Sequence, residues 1–240
     1  MMPAPVMHIA LSLLMLPFLP DKDPKEFILG TSFPDIRYLG VIDRRTTHNP
    51  HPSWANVVSE KSSFKAGMEF HALVDVMHDK YMRRNKVYKL LPLSCQEGPN
   101  YLKFFEDMLV YTKYSQWKKI ADYFDTVLQE ELAFVNDKKT IELWHGNIKH
   151  YLLRQPAPKT VQEFLDTKLP TWYGPLLAIP MTVNAQYFAS VLSDNLLKLF
   201  DNKALCDYVL DFYEQFPAMV TGKSVVPEKA TVKAIAHPAL

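Results

Sequence analysis

An all-α, single-domain bundle is the fold the sequence predicts, and three kinds of observation predict it. Seven glycines in 240 residues are too few for a sheet protein, whose hairpins consume glycine at their turns. Alternating β-branched runs are scarce, and apolar positions recur instead at helical spacing. Pro156, Pro158, Pro170, Pro175, Pro180 and Pro217 stand at or near helix boundaries, where a missing N–H and a clash with the preceding turn do least harm. With 48% apolar and 22% charged residues the chain has ample material for a core and is not of disordered composition. No low-complexity linker or repeat divides it, so residues 1–220 read as one bundle of eight to ten helices and residues 221–240 as a peripheral arm.

The elements follow in order. Val6 to Met15 is densely apolar. Asp23-Pro24 reads as an N-cap with proline at the first helical position, opening a helix that ends near Gly30. Thr31 to Pro52, with Pro34, Gly40, Pro50 and Pro52, reads as a long ordered loop. Ser53 caps a short helix through Glu60, and Ser62 or Ser63 starts a long one to Lys86 whose band is Phe64, Met68, His71, Leu73, Val74 and Met77. Further helices are predicted at Asn100 to Lys113, Trp117 to Val135, Thr140 to Leu153, Val161 to Leu165, Val183 to Phe200 and Lys203 to Phe216.

Charge and cysteine use narrow the function classes. The net charge is +1, and the one basic run, Arg83, Arg84, Lys86 and Lys89, reads as a solvated helix end. No stable nucleic-acid partner is expected. Cys95 and Cys206 form neither a disulfide framework nor a CxxC knuckle, which suits a reducing compartment. The apolar run from Ile9 to Leu19 spans 11 residues, short of the roughly 20 a bilayer requires. It lacks a basic leader and a small-residue cleavage site, so the expected location is the cytoplasm. Composition does not specify an oligomeric state.

One constellation carries chemistry. His71 and Asp75 are four residues apart on the long helix and His78 follows three later, so the three share a stripe. Their neighbours Ala72, Leu73, Val74, Val76 and Met77 are apolar, and a buried Asp needs a hydrogen bond, an ion pair or a metal. A metal site and a simple His–Asp hydrogen bond both meet that need. His8, Asp35 and His48 precede the helix; singly they read as a core histidine, a turn residue after Pro34 and a loop residue.

In sequence order, Met2-Pro-Ala-Pro-Val-Met-His8, Gly30-Thr-Ser-Phe-Pro-Asp35-Ile, Thr47-His48 and Gly67-x3-His71-x3-Asp75 resemble the zinc-dependent phospholipase C-like proteins. That superfamily also holds zinc-dependent single-strand nucleases. The resemblance covers about the first 80 residues. It implies an all-helical fold in which Asp35, His48, His71 and Asp75 hold one metal and His8 serves a second ion beside that aspartate. The N-terminal tryptophan of the secreted enzymes is absent, and so is their HxxxE helix. His78, or Glu106 or Glu142 with His145, are the residues left for further positions, and the expectation is one or two ions rather than three.

Two His and two Asp suit Zn²⁺, with Mn²⁺ or Fe²⁺ at a more open site. Zinc lowers the pKa of a coordinated water to about 7, which makes phosphoester hydrolysis the expected reaction. Asp35 with Arg37 and Arg45 are the expected catalytic residues, with Arg44 on the same loop; the arginines would steady a phosphate or else are ordinary surface residues. The expected substrate is a small phosphoester or a phospholipid headgroup, soluble esters before packed lipid. Two other readings stay open. His48, His78-Asp79 and Asp107 or Asp122 follow the order of HD-domain phosphohydrolases. Alternatively, Tyr101, Phe104, Phe105, Tyr111, Tyr114 and Trp117, with Tyr208, Phe212, Tyr213 and Phe216, line a partner groove in a non-enzymatic binding protein, although aromatics at this spacing more often form core.

Overall fold

The computed structural model describes residues 3–96, 100–166 and 185–222, and among these the chain is helical without a strand. Its α-helices are α1 (Pro5–Met15), α2 (Pro24–Ser32), α3 (Arg44–Thr47), α4 (Trp54–Ser59), α5 (Ser63–Arg84), α6 (Leu93–Gln96) and α7 (Asn100–Tyr111). They continue as α8 (Trp117–Ala121), α9 (Gln129–Phe134), α10 (Lys138–Leu153), α11 (Pro158–Leu165), α12 (Ala185–Asp201) and α13 (Lys203–Thr221). The predicted arm lies, apart from Thr221 and Gly222, outside the described residues, as do Pro170, Pro175 and Pro180.

The caps read from sequence form. Asp23 accepts from the Glu26 amide, Ser53 from Asn56 and Ser62 from Lys65, each satisfying a donor the first helical turn leaves unpaired. Helix α1 is buried almost all round, from Val6 through Ser12, which explains its unbroken apolar sequence. It packs on α2, α7 and α13, while α2 and α5 form the most extensive helix pair. That pair is close because it carries no side chain at its crossing. A Cβ on Gly67 would lie 2.2 Å from the Phe27 carbonyl oxygen, and one on Gly30 1.9 Å from that of Phe64.

Three expectations are corrected. The segment 31–52 is not a long loop: α2 runs on through Ser32, Phe33–Leu39 forms a 3-10 helix and α3 follows. Pro34 sits near the start of that 3-10 helix, where its missing N–H costs nothing. The helix predicted over Trp117 to Val135 is broken into α8, a 3-10 turn at Asp122–Asp125 and α9. Asp122, Asp125 and Thr126 disfavour a helix interior, and Glu131 reaches back to accept from the Leu128 amide at 2.8 Å. Pro217 does not end α13, which continues to Thr221 with Phe216 and Pro217 both buried; packing of that face outweighs one lost helical bond.

The aromatic segments offered as a partner groove are mostly core. Phe104, Phe105, Trp117, Phe212 and Phe216 are all buried, and Phe104 meets Tyr151, Phe164 and Phe188 ring to ring. No helix of the described residues is long and apolar enough to cross a membrane.

Candidate metal centre

The centre is built where α1 and α5 meet beside the segment after α2. His8 on α1 stacks on His71 of α5, with ring centroids 4.0 Å apart and planes 8° from parallel. His48, just past α3, meets His71 edge-on at 5.0 Å. Four-residue spacing puts Asp75 one turn beyond His71. Its carboxylate collects His8 Nε2 at 3.3 Å, His48 Nε2 at 3.5 Å and His71 Nε2 at 3.7 Å. Asp35, on the 3-10 helix, approaches the same His71 Nε2 at 3.9 Å. The expected packing of the first helix on the long one, bringing His8 to Asp75, is therefore present.

A hydrogen bond behind the ring edge sets the His71 tautomer. His71 Nδ1 lies 2.8 Å from the Thr31 carbonyl oxygen, so Nδ1 carries the proton and Nε2 the lone pair. The Thr47 hydroxyl lies 3.3 Å from the Arg44 carbonyl oxygen and 2.9 Å from His48 Nδ1, holding the His48 ring from behind. Burial and neighbouring His8 push His71 down to about 3, so the ring stays neutral. Burial works to raise the Asp75 carboxyl, but His71, His48 and His8 around it outweigh that and hold it well below the ordinary range.

The His71 lone pair therefore faces carboxylate oxygens. His8 Nε2, His48 Nε2, His71 Nε2, Asp35 Oδ1 and Asp75 Oδ1 are buried without hydrogen bonds. Acceptor against acceptor inside a protein is costly unless a cation lies between. Two overlapping sets converge closely enough to share an ion, His8 with His71 and Asp75, and Asp35 with His48 and His71, the atoms of each within 4.8 Å of one another. A void of about 10 Å³ lies against His8, Asp35 and His71, room for one water-sized particle. The donor set fits a divalent cation of the zinc class.

Arginines flank the two carboxylates. Arg44 Nη2 is 3.1 Å from Asp75 Oδ2, and Arg37 Nη2 is 3.3 Å from Asp35 Oδ1. Arg45, expected beside Arg37 as catalytic, instead lines a neighbouring cleft of about 300 Å³ with His48, Lys65 and Glu69. Successive residues on the short α3 point about 100° apart, so Arg44 turns to Asp75 while Arg45 turns to the cleft that His48 also lines.

His78 does not join the cluster. Seven residues of rise separate it from His71, about 10 Å along the axis, and its Nε2 meets Glu106 of α7 at 2.8 Å, both groups fully buried. Asp79 pairs with Arg83 on the surface at 2.7 Å. Neither residue belongs to a metal-capable group with His48 among the described residues. The other sequence candidates disperse as well: His145 pairs with Glu131 at 2.7 Å and Glu142 with Lys138 at 3.4 Å.

Sequence reasoning missed two buried charged groups on α7. Asp107 accepts the Val6 and Met7 amides at 3.0 and 2.8 Å, anchoring the start of the helix that carries His8; burial pushes its carboxyl up to about 8. Lys103 lies over the Tyr38 ring, and burial lowers it while Asp35 pulls it back up. Asp107 was weighed only as an HD-domain aspartate, and nothing in sequence linked it to α1, a hundred residues away. No family model, curated protein or solved structure matches the chain.

Proposed function

We propose that the chain is a metal-dependent phosphoester hydrolase, with a zinc-class cation held by Asp35, His48, His71 and Asp75 and approached by His8. The observation that carries this reading is the convergence of three imidazole nitrogens, the fixed lone pair of His71 among them, and two carboxylates on a buried point where His8 Nε2, His48 Nε2, His71 Nε2, Asp35 Oδ1 and Asp75 Oδ1 form no hydrogen bond. Bound there, such a cation supplies Lewis acidity towards a phosphoryl group and lowers the pKa of water.

The chain's own residues would do the rest. Thr31 and Thr47 orient the two imidazoles from behind, as outer partners of metal ligands do. Arg37 and Arg44, each one hydrogen-bond length from a carboxylate and Arg44 44% exposed along its side chain, stand where a phosphate oxygen would be met by charge-assisted donors. The buried rings and α1 keep bulk water off the rear of the site.

The test is metal analysis of protein purified without a His-tag, followed by assay of p-nitrophenyl phosphate mono- and diesters, short nucleotides and phosphatidylcholine with Zn²⁺ or Mn²⁺. Asp75→Asn, which keeps volume but removes a ligand charge, is expected to lose the metal and turnover, whereas Asp79→Asn keeps both. The reverse pattern would transfer the assignment to an HD-type site. A chain that holds no metal and turns over no ester would sink the hydrolase reading altogether.

A further inference from the structure

A cleft of about 300 Å³ opens beside the metal centre, a volume at the lower end for small-molecule sites. One of its walls is His48, which is only 8% exposed and whose Nε2 is buried in the cluster without a hydrogen bond. Residues 45–50 form that side of the cleft, and Lys65, Met68 and Glu69, neighbours on one face of α5, form another. Met68 leads on by three residues to His71, so Lys65 stands about 9 Å along the helix axis from that imidazole. A short ester whose phosphoryl group lay at the cluster would have its organic half here.

The charges on the lining are unequally engaged. Glu69 receives the Asn49 side-chain amide on both carboxylate oxygens, at 3.3 and 3.0 Å, and Glu60 Oε1 accepts the Ser62 amide at 3.0 Å. Among the described residues, the Arg45 guanidinium and the Lys65 ammonium take part in no hydrogen bond or ion pair. Unpaired cations are ordinary on an open surface. These two line one cleft that reaches a buried histidine of the cluster. A cationic ligand would have to compete with Asn49 and the Ser62 amide for the glutamates, whereas an anionic one meets donors that are free.

We propose that this cleft holds the organic half of the ester and that Arg45 and Lys65 select a second anionic group on it, a carboxylate or a phosphate. The substrate is then a short phosphoester with a negative group at its far end, and the acyl tails of a lipid have no room. The proposal rests on the hydrolase reading for the fate of that ester but not for its binding. Arg45 and Lys65 are binding residues here, with no proton transfer assigned to them.

The probes are phosphonates, whose P–C bond is not hydrolysed: hydroxypropylphosphonate, carboxyethylphosphonate and propane bisphosphonate, similar in length and differing at the far end. Each is titrated calorimetrically into the full zinc-loaded chain. The two probes with a far anion are expected to bind about 5- to 10-fold more tightly than the hydroxyl probe, between the worth of an exposed ion pair and that of a charged hydrogen bond. Whichever of the two binds more tightly names the source of the charge, carboxylate or phosphate. Arg45→Gln with Lys65→Gln, both exposed, should erase the preference and leave the zinc content unchanged. Equal binding of all three probes to the unaltered chain, or a preference that survives in the double variant, overturns the proposal. The first of these comparisons needs no variant, so a double variant that fails to fold leaves the test intact. A chain that takes up no zinc yet keeps a preference dependent on Arg45 and Lys65 would defeat the hydrolase reading and leave the anion cleft standing. Zinc uptake and ester turnover with equal binding of the three probes would do the reverse.

Discussion

The proton inventory around His71 decides how the metal-free centre responds to acid. His71 falls from 6.5 to about 3 on folding. Below pH 6.5 the unfolded chain therefore takes up a proton that the folded chain refuses, and stability is lost as pH falls towards 3, by up to about 1.4 kcal/mol per pH unit. Asp107 works the other way. Raised from 3.8 to about 8, it holds a proton in the folded chain that the unfolded chain has released, so its contribution improves as pH falls from 8 to 3.8. The two slopes oppose each other between pH 3.8 and 6.5. We expect the urea midpoint, measured with chelator present, to change little from pH 6.5 to about 4 and then to drop, as Asp75 adds its own loss. Asp107→Asn removes the opposing slope, so its midpoint should fall steadily from pH 6.5 downward; a flat profile in that variant would show that His71 is not held neutral. At this scale the sequence disclosed His71 and Asp75 because spacing on one helix encodes proximity, while His8, Asp35 and His48, on other segments, were joined to them only through the family resemblance. Lys103 was hidden in an aromatic run, where a lysine usually extends its ammonium to solvent.

Between helices, the centre depends on how closely α2 and α5 approach. Gly30 and Gly67 leave the crossing without side chains, and this puts the Thr31 carbonyl 2.8 Å from His71 Nδ1. Gly67→Ala would drive a methyl group into the Phe27 carbonyl and the Thr31 amide, which are backbone and cannot turn aside. We expect it to cost about 3 kcal/mol, the upper end for overpacking, and to weaken metal binding as Thr31 is pushed away from His71. Chemical denaturation with zinc titration checks both effects; wild-type stability would show that the helices separate freely. Gly67 was legible in the motif, but its reason was not, since one strand of sequence carries no trace of the backbone that passes across it. Caps at Asp23, Ser53 and Ser62 were readable because a cap acts within three residues. The break after α8 was not, because the apolar periodicity runs on across it while Glu131 folds back locally onto Leu128.

Across the whole molecule, the candidate ligands come from segments that fold together only in the native state. His8 rides on α1, which α7 holds through Asp107; Asp35 and His48 lie either side of α3; His71 and Asp75 share α5. Such long-range partnerships, like His78 with Glu106, leave no periodic mark in sequence, which is why the fold class and the His71–Asp75 pair were readable from periodicity but their supports were not. The same dispersion has a thermodynamic consequence. An unfolded chain cannot assemble these side chains, so under the proposed metal-centre reading the free energy of metal binding is added to that of folding. With free metal at 100 times its dissociation constant the gain is about 2.7 kcal/mol, or about 5–10 °C in melting temperature for a domain of this size. Chelation should remove that increment and Zn²⁺ should restore it. Amide exchange should quicken on chelation in α1, in the 3-10 helix at Phe33–Leu39 and around His71, because these segments are joined through the ion. It should stay unchanged in α11 and α12, which carry none of the ligands. Identical melting temperatures with chelator and with zinc would mean that the arginines alone neutralise Asp35 and Asp75, and that the cluster is a buried ion-pair network rather than a metal centre.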